Sequence, residues 1–385
     1  MPGQYGRDVA TLANGRLVTP GGIVDGWLET AGATITAFGP GEPARPADRD
    51  VAGQWVVPGF VDIHVHGGAG ADFTTGGPEQ ARRIIALHRR HGTTTMLASL
   101  VTVDVDTMAA SIDALAGLVD EGELAGIHLE GPFLAPARRG AHDAGLLRAP
   151  EPEVVDRLVS AGPTRVRMVT LAPELPAAID AVRRLVDYGV VVAVGHTDAT
   201  YDQTRAAIDA GAAVGTHLFN AMRPVLHREP GPVPALLEDD RVTVELICDG
   251  VHLHPAAIRW VLRTASARRV ALVTDAMAAA GAGDGDYPLG HLTVQVRDGV
   301  ARQPDGTIAG STLTMDRAFR CVVDAGASVE EAVTMASTTP AEALGLADEI
   351  GSITVGRGAD LVVLDRTLHV AAVMVKGSWI EGCPP

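Results

Sequence analysis

The chain has 385 residues, 46% of them apolar and 20% charged, enough to bury the core of one large α/β unit with a small satellite. Asp and Glu total 47 against 31 Lys and Arg, and the formal charge of −16 excludes a nucleic-acid groove. No apolar run reaches the length of a membrane span, and the start MPGQYGRDVA has no basic stretch followed by an apolar one, so a cytoplasmic protein is expected.

In chain order, residues 10–41 come first, with short alternating runs broken by NG and GG, which predict β-hairpins. From 56 to 275 a short apolar, β-branched run is followed by a polar or Gly-rich junction and then an amphipathic stretch. This unit occurs eight times, with runs at 56–67, 93–101, 126–132, 166–173, 190–197, 214–220, 242–250 and 270–276. Between the runs, 78–92 reads as a helix with Ile84, Ile85, Leu87 and His88 on an apolar stripe and Gly92 as its stop. Residues 200–211 read as another, with a capping box from Thr200 to Gln203 and a stop at Gly211. Nearly continuous apolar strands alternating with helices imply a parallel sheet covered by helices, and eight units fit a closed (β/α)8 TIM-like barrel over 58–351. Residues 359–377 bring two more strand-like runs, so 1–57 and 352–385 are expected to form a small β-sandwich domain built from both chain termini. The three cysteines, Cys248, Cys321 and Cys383, show no CxxC spacing and imply neither a disulfide framework nor a thiolate metal site.

Most of the expected barrel strands that carry chemistry end in a His, Glu or Asp. The first ends in His64 and His66, the third in Glu130, the fifth in His196, the sixth in His217 and the eighth in Asp275. Strand ends of such a barrel converge on one face, where its active site lies. Imidazole and carboxylate are the ligands of divalent ions such as zinc or ferrous iron, at least three being needed with one position left for water. His64 and His66, two apart, point to the same side and can hold one ion together. A lone histidine at a strand end is more often an ordinary core or surface residue, and Glu130 or Asp275 buried without a partner would cost several kcal/mol. Six such residues at five strand ends are better explained by a shared cation.

The segments PGFVDIHVHG (58–67), HLEGPF (128–133), GAH (140–142), GHTDAT (195–200), THLFNAM (216–222), REPG (228–231), DGVHLHP (249–255), VTDAM (273–277) and AGSTLTM (309–315) resemble, in order and spacing, the amidohydrolase superfamily and within it the N-acetylglucosamine-6-phosphate deacetylases. The resemblance runs through almost the whole chain. It implies removal of the acetyl group from a phosphorylated acetamido-sugar, in amino-sugar catabolism and cell-wall recycling. It also implies that Glu130, His196 and His217 hold the principal ion and that Asp275 is the catalytic acid/base. Asn220, Ala221, Arg228 and His252 would hold the sugar phosphate, with Ala141 and His142 near the acetamide and Ile308, Ala309 and Gly310 lining the pocket. Some members lack the first-strand histidine pair and carry one ion. With His64 and His66 present, a second ion bridged by Glu130 and touching Asp275 is implied. The resemblance further implies a homodimer in which Arg228 reaches the neighbouring subunit's site. A cyclic-amide hydrolase is the competing enzyme reading, but those enzymes commonly bridge two ions with a modified lysine on the fourth strand, and VRMVTLAP contains none. A catalytically silent binding protein would have lost a ligand or the acid/base, and all are present.

Overall fold

The computed structural model describes residues 9–383; residues 1–8 and 384–385 of the expected terminal domain lie outside that range. Eight parallel strands stand side by side in chain order: Phe60–Asp62, Thr93–Val101, Gly126–Glu130, Val166–Leu171, Val191–Val194, Val214–Gly215, Thr243–Ile247 and Val270–Val273. Helices such as Gly77–Arg90, Val105–Asp120 and Ala178–Asp187 cover them, as the expected barrel requires. In Gly77–Arg90 the buried face is Ala81, Ile84, Ile85, Leu87 and His88, and in Tyr201–Asp209 the capping box between Thr200 and Gln203 is formed.

The barrel closes at a seam between its first and last strands without a regular ladder. Asp62 supplies the missing acceptors: its carboxylate takes the Thr274 hydroxyl at 2.6 Å and the amides of His64 and Thr274 at 3.2 and 3.3 Å. Just above, the Asp275 amide donates to His64 O at 2.8 Å, and those of His66 and Gly67 donate to Ala276 O. The seam therefore carries His64, His66 and Asp275 within a few residues of each other.

The run expected over 56–67 is two strands. Trp55–Pro58 belongs to a second sheet and Phe60–Asp62 to the barrel, with Gly59 as the pivot. A Cβ at Gly59 would come 2.1 Å from Thr94 Oγ1, so the chain can change sheets there only with glycine. The second sheet is mixed and eight-stranded. Trp55–Pro58 lies between Leu361–Leu364 (antiparallel) and Val9–Thr19 (parallel), flanked on one side by Gly22–Ala31 and Thr34–Pro40 and on the other by Val370–Val375 and Ser378–Trp379; Arg49–Asp50 pairs with Val9–Thr19. It encloses its own core of Leu12, Leu28, Ile35, Val56, Leu361 and Met374, the small sandwich expected from the two chain ends.

One element was not expected. After the eighth strand, Gly285–Leu289, Leu292–Arg297 and Val300–Arg302 form a three-stranded antiparallel meander that packs Leu289, Val294 and Val296 on Val101, Met277 and Ala309. Its second turn is the Asp298–Gly299 pair, both at positive φ, between alternating residues.

Candidate active site

The expected ligand residues meet at the mouth of the barrel. His196 Nε2 and His217 Nε2 each lie 3.0 Å from Glu130 Oε1 and 3.0 Å from each other. On the other side, His66 Nε2 is 3.1 Å from Glu130 Oε2 and 3.3 Å from Asp275 Oδ1, and His64 Nε2 is 3.1 Å from His66 Nε2. Glu130 thus stands between two half-sites: Oε1 faces His196 and His217 and also lies 3.4 Å from His64 Nε2, while Oε2 faces His66. Ligands of one ion at bonds of about 2.1 Å are spaced by about 3.0–3.4 Å, so both sets suit a divalent metal.

The far side of three of the four rings supports this, while Nδ1 of His217 is buried with no partner among the described residues. Nδ1–H of His196 donates to Arg138 O at 2.9 Å, that of His66 to Ser99 O at 3.1 Å, and that of His64 to Glu245 Oε2 at 2.9 Å. Each bond leaves the Nε2 lone pair aimed at the shared centre, where several lone pairs face one another and two carboxylates converge. A cation satisfies that donor set, and protons are its substitute. Without an ion, His66 is raised to about 9, the bonds and charges of Asp275 and Glu130 outweighing the opposing effect of burial. Burial pushes Asp275 upward, but His64 and His66 hold it down at about 2. Burial likewise opposes ionisation of Glu130, which His196 and His64 nevertheless pull well below the carboxylate range.

His142 is different. The Thr102 amide, which can only donate, points at His142 Nδ1 (3.3 Å), so that nitrogen accepts and Nε2 carries the proton, donating to Glu130 Oε2 at 3.2 Å. Burial lowers this imidazole to about 4, which keeps it neutral. Although His142 lies close enough to Glu130 and His196 to form a ligand cluster with them, its tautomer makes it a hydrogen-bond donor.

The backbone is bent to present these groups. His196, His217, Ala221 and Asp275 all have positive φ, at 46°, 25°, 50° and 48°, just past their strands. Each such residue costs of order 1–3 kcal/mol, a strain that clusters at functional sites. Gly310 makes room beside them: it has φ +65°, and a Cβ there would sit 3.1 Å from Asp275 O.

A cavity of about 330 Å³ opens above the cluster, within the range of small-ligand sites. Its wall includes His66, Glu130, Ala141, His142, His196, His217, Asn220, Ala221, His252, Asp275, Ile308 and Gly310. His64 lies fully buried beneath His66, and Ala309 is buried in the core under the meander. Arg228 is exposed on the loop after the sixth strand and is not part of this chain's own cavity wall. The Asn220 amide is bonded to His217 O at 3.0 Å, and the Ala221 amide makes no bond among the described residues.

Several residues of the site were not anticipated. Asp249 accepts from His252 Nδ1 at 2.7 Å and from the amides of Val251 and His252, fixing the ring at the cavity edge. Burial opposes its charge, but Asp249 raises His252 above its ordinary value. Below the half-sites, the Ser99 hydroxyl accepts from the Val65 amide and bonds His128, which bonds Thr170, which bonds Thr216. Glu245, in the seventh strand, ties His64 to the amide of His217. The signal for these was a polar residue inside an apolar run, as in T-V-E-L-I.

The sequence pattern of the amidohydrolase family matches residues 55–380. The chain is 39% identical over 368 residues to the N-acetylgalactosamine-6-phosphate deacetylase of Escherichia coli O157:H7, covering 94% of this chain and 97% of that protein. It is 38% identical over 358 residues to the N-acetylglucosamine-6-phosphate deacetylase of Homo sapiens, covering 88% and 87%. Among solved structures it resembles a mutant N-acetyl-D-glucosamine-6-phosphate deacetylase from Mycobacterium smegmatis in complex with N-acetyl-D-glucosamine-6-phosphate. That match has 49% identity and a TM-score of 0.94, covering 97% of this chain and 99% of the other.

Proposed function

The chain belongs to the amidohydrolase family, and from that premise we propose that it hydrolyses the acetamide of N-acetylglucosamine-6-phosphate to glucosamine-6-phosphate and acetate. The observation that carries the reading is Glu130, set between two clusters of imidazole lone pairs on the floor of a sugar-sized cavity.

Glu130, His196 and His217 would hold the principal ion, and His64, His66 and Asp275, with Glu130 beside them, a second one. Zinc or ferrous iron suits this set of nitrogen and oxygen donors. Such a cation supplies Lewis-acid chemistry, acidifying water and polarising a carbonyl. The ionised Asp275 accepts a proton from the attacking water as its oxygen bonds to the acetyl carbon. It returns that proton to the sugar nitrogen as the C–N bond breaks. His142, neutral and protonated at Nε2, donates to the carbonyl oxygen as negative charge builds there. At the far end, His252, held by Asp249, and the Ala221 amide meet the sugar phosphate, with Asn220 closing the turn that presents them.

Arg228, on its exposed loop, reaches the phosphate of a neighbouring subunit in a homodimer, since a guanidinium fork suits phosphate oxygens. Ala141, Ile308 and Gly310 line the sugar, and Ala309 backs that wall. We also propose 58–351 as the catalytic barrel, 1–57 and 352–385 as the satellite domain, and the cytoplasm as the compartment. No helix among the described residues is long and apolar enough to cross a membrane.

The E. coli relative's name favours a second reading at one carbon: N-acetylgalactosamine-6-phosphate, the C4 epimer. Amine release should be measured on both phosphorylated epimers and on plain N-acetylglucosamine, with ion content determined on the same sample. The gluco epimer should give the highest kcat/KM. Faster turnover of the galacto epimer moves the substrate to the second reading, and no amine release from any of the three by the ion-loaded protein sinks both.

A further inference from the structure

We propose that Glu245 is a positioning residue for the ion site, and that the half-site containing His64 depends on it for its ion. The proposal rests on the two-ion reading above.

Glu245 lies in Thr243–Ile247, fully buried below the floor of the cavity. One oxygen, Oε2, accepts both from His64 Nδ1 at 2.9 Å and from the His217 amide at 3.0 Å. The other, Oε1, is buried with no partner among the described residues. A carboxylate in hydrocarbon with one oxygen unsatisfied is costly, and a core with this shape would ordinarily take an aliphatic residue there. Its retention is explained by what it does to the two histidines, which belong to different half-sites.

For His64, the bond to Glu245 puts the proton on Nδ1 and leaves Nε2 as a lone pair, 3.4 Å from Glu130 and 3.6 Å from Asp275. A ring released from that bond can present N–H to the ion instead. For His217, the same oxygen takes up an amide left without a ladder partner where φ is +25°. The three imidazoles pinned at Nδ1 by an acceptor that cannot donate back differ in one respect. His66 and His196 are pinned by the main-chain carbonyls of Ser99 and Arg138, which no substitution removes, whereas His64 is pinned by a side chain. The dependence of the ion site on a side chain outside the ligand set is therefore concentrated at His64, and the negative charge of Glu245, passed through the imidazole, strengthens it as a donor.

Zinc is the probe, with ions per chain counted after equilibrium dialysis and the two binding steps resolved by competition with a chromophoric chelator. The step lost in His64→Ala identifies the His64 half-site. Glu245→Gln keeps an oxygen for both donors but removes the charge, and should weaken that step about tenfold. Glu245→Leu removes the acceptor as well and should weaken it about a hundredfold, with the other step changed by less than about threefold in Glu245→Gln and by clearly less than the His64 step in Glu245→Leu. Folded variants that bind two zinc ions with the parent's affinities would overturn the proposal. So would equal weakening of both steps together with a lowered melting midpoint, the mark of a merely structural role. If Glu245→Leu does not fold, Glu245→Gln decides alone by the same criteria. A parent chain that takes up a single zinc ion at saturation overturns the two-ion reading, and this proposal with it.

Discussion

In the terminal sheet Leu28, Val56, Leu361 and Met374 are as deeply buried as His64, His66, Glu130 and His217 are at the barrel mouth, yet the two regions are held in opposite ways. The sheet is cohesive because hydrocarbon area is removed from water, which needs no partner of a particular kind and no particular pH. The mouth buries groups that are stable there only when their charges and lone pairs are matched. Its order depends on what fills the space between Glu130, the imidazoles and Asp275, protons or an ion. Perturbations should therefore separate the two regions cleanly.

The largest separation should come from Asp275→Asn. The carboxylamide keeps the shape but cannot relay the proton, so kcat for amine release should fall by about 10²–10⁴-fold while the melting midpoint of the protein stays near that of the parent. Near-normal kcat would remove Asp275 from the mechanism. The mirror experiment is Leu361→Ala, which leaves a cavity in the sheet and should cost about 2–5 kcal/mol in chemical denaturation. Zinc content and kcat per folded molecule should be unchanged, and a proportional loss of kcat would mean that the regions are not separable.

The next effect is that of pH on zinc uptake. In the ion-free protein His66 is raised to about 9 from its ordinary 6.5, so at any pH below about 9 an arriving ion must displace a proton. Zinc affinity should rise about tenfold per pH unit per displaced proton up to about pH 9 and level off above it. The stability that the raised His66 lends the ion-free fold is fully present below 6.5 and lost as pH rises through about 9. Calorimetric titrations in two buffers of different ionisation heat would expose a flat profile, and with it an error in this account of the mouth. The smallest effect is expected of Arg228→Ala. KM for the phosphorylated sugar should rise about tenfold with kcat little changed, since one charge-assisted contact is removed. Equal losses on phosphorylated and plain sugar would place Arg228 away from the phosphate.

What could be read from the amino acids alone follows the same division. Alternation and apolar runs are direct images of burial, so the eight strands, the flanking helices and the sheet from both chain ends were legible, as was the gathering of strand-end His, Glu and Asp residues. The missed features are those in which a polar residue serves another residue. Glu245 and Ser99 sit inside apolar runs and act through an imidazole, which periodicity does not report. Asp62 looks like part of the first-strand motif but serves as the barrel's closing acceptor. The split of 56–67 at Gly59 was hidden because both halves are apolar and only the clash with Thr94 forbids a side chain between them. The meander was written in its Asp298–Gly299 turn, but it follows the eighth strand, where the repeating pattern had already ended.

The position of Trp55–Pro58, paired on one edge with Val9–Thr19 and on the other with Leu361–Leu364, has a consequence for biosynthesis. On the ribosome the first partner is already made, while the second emerges only after the whole barrel. Until then the nascent protein carries an open, apolar strand edge of the kind that chaperones shield and that seeds aggregation. A messenger cut short between the barrel and Leu361 would release a chain with most of its catalytic machinery and a permanently unzipped flank.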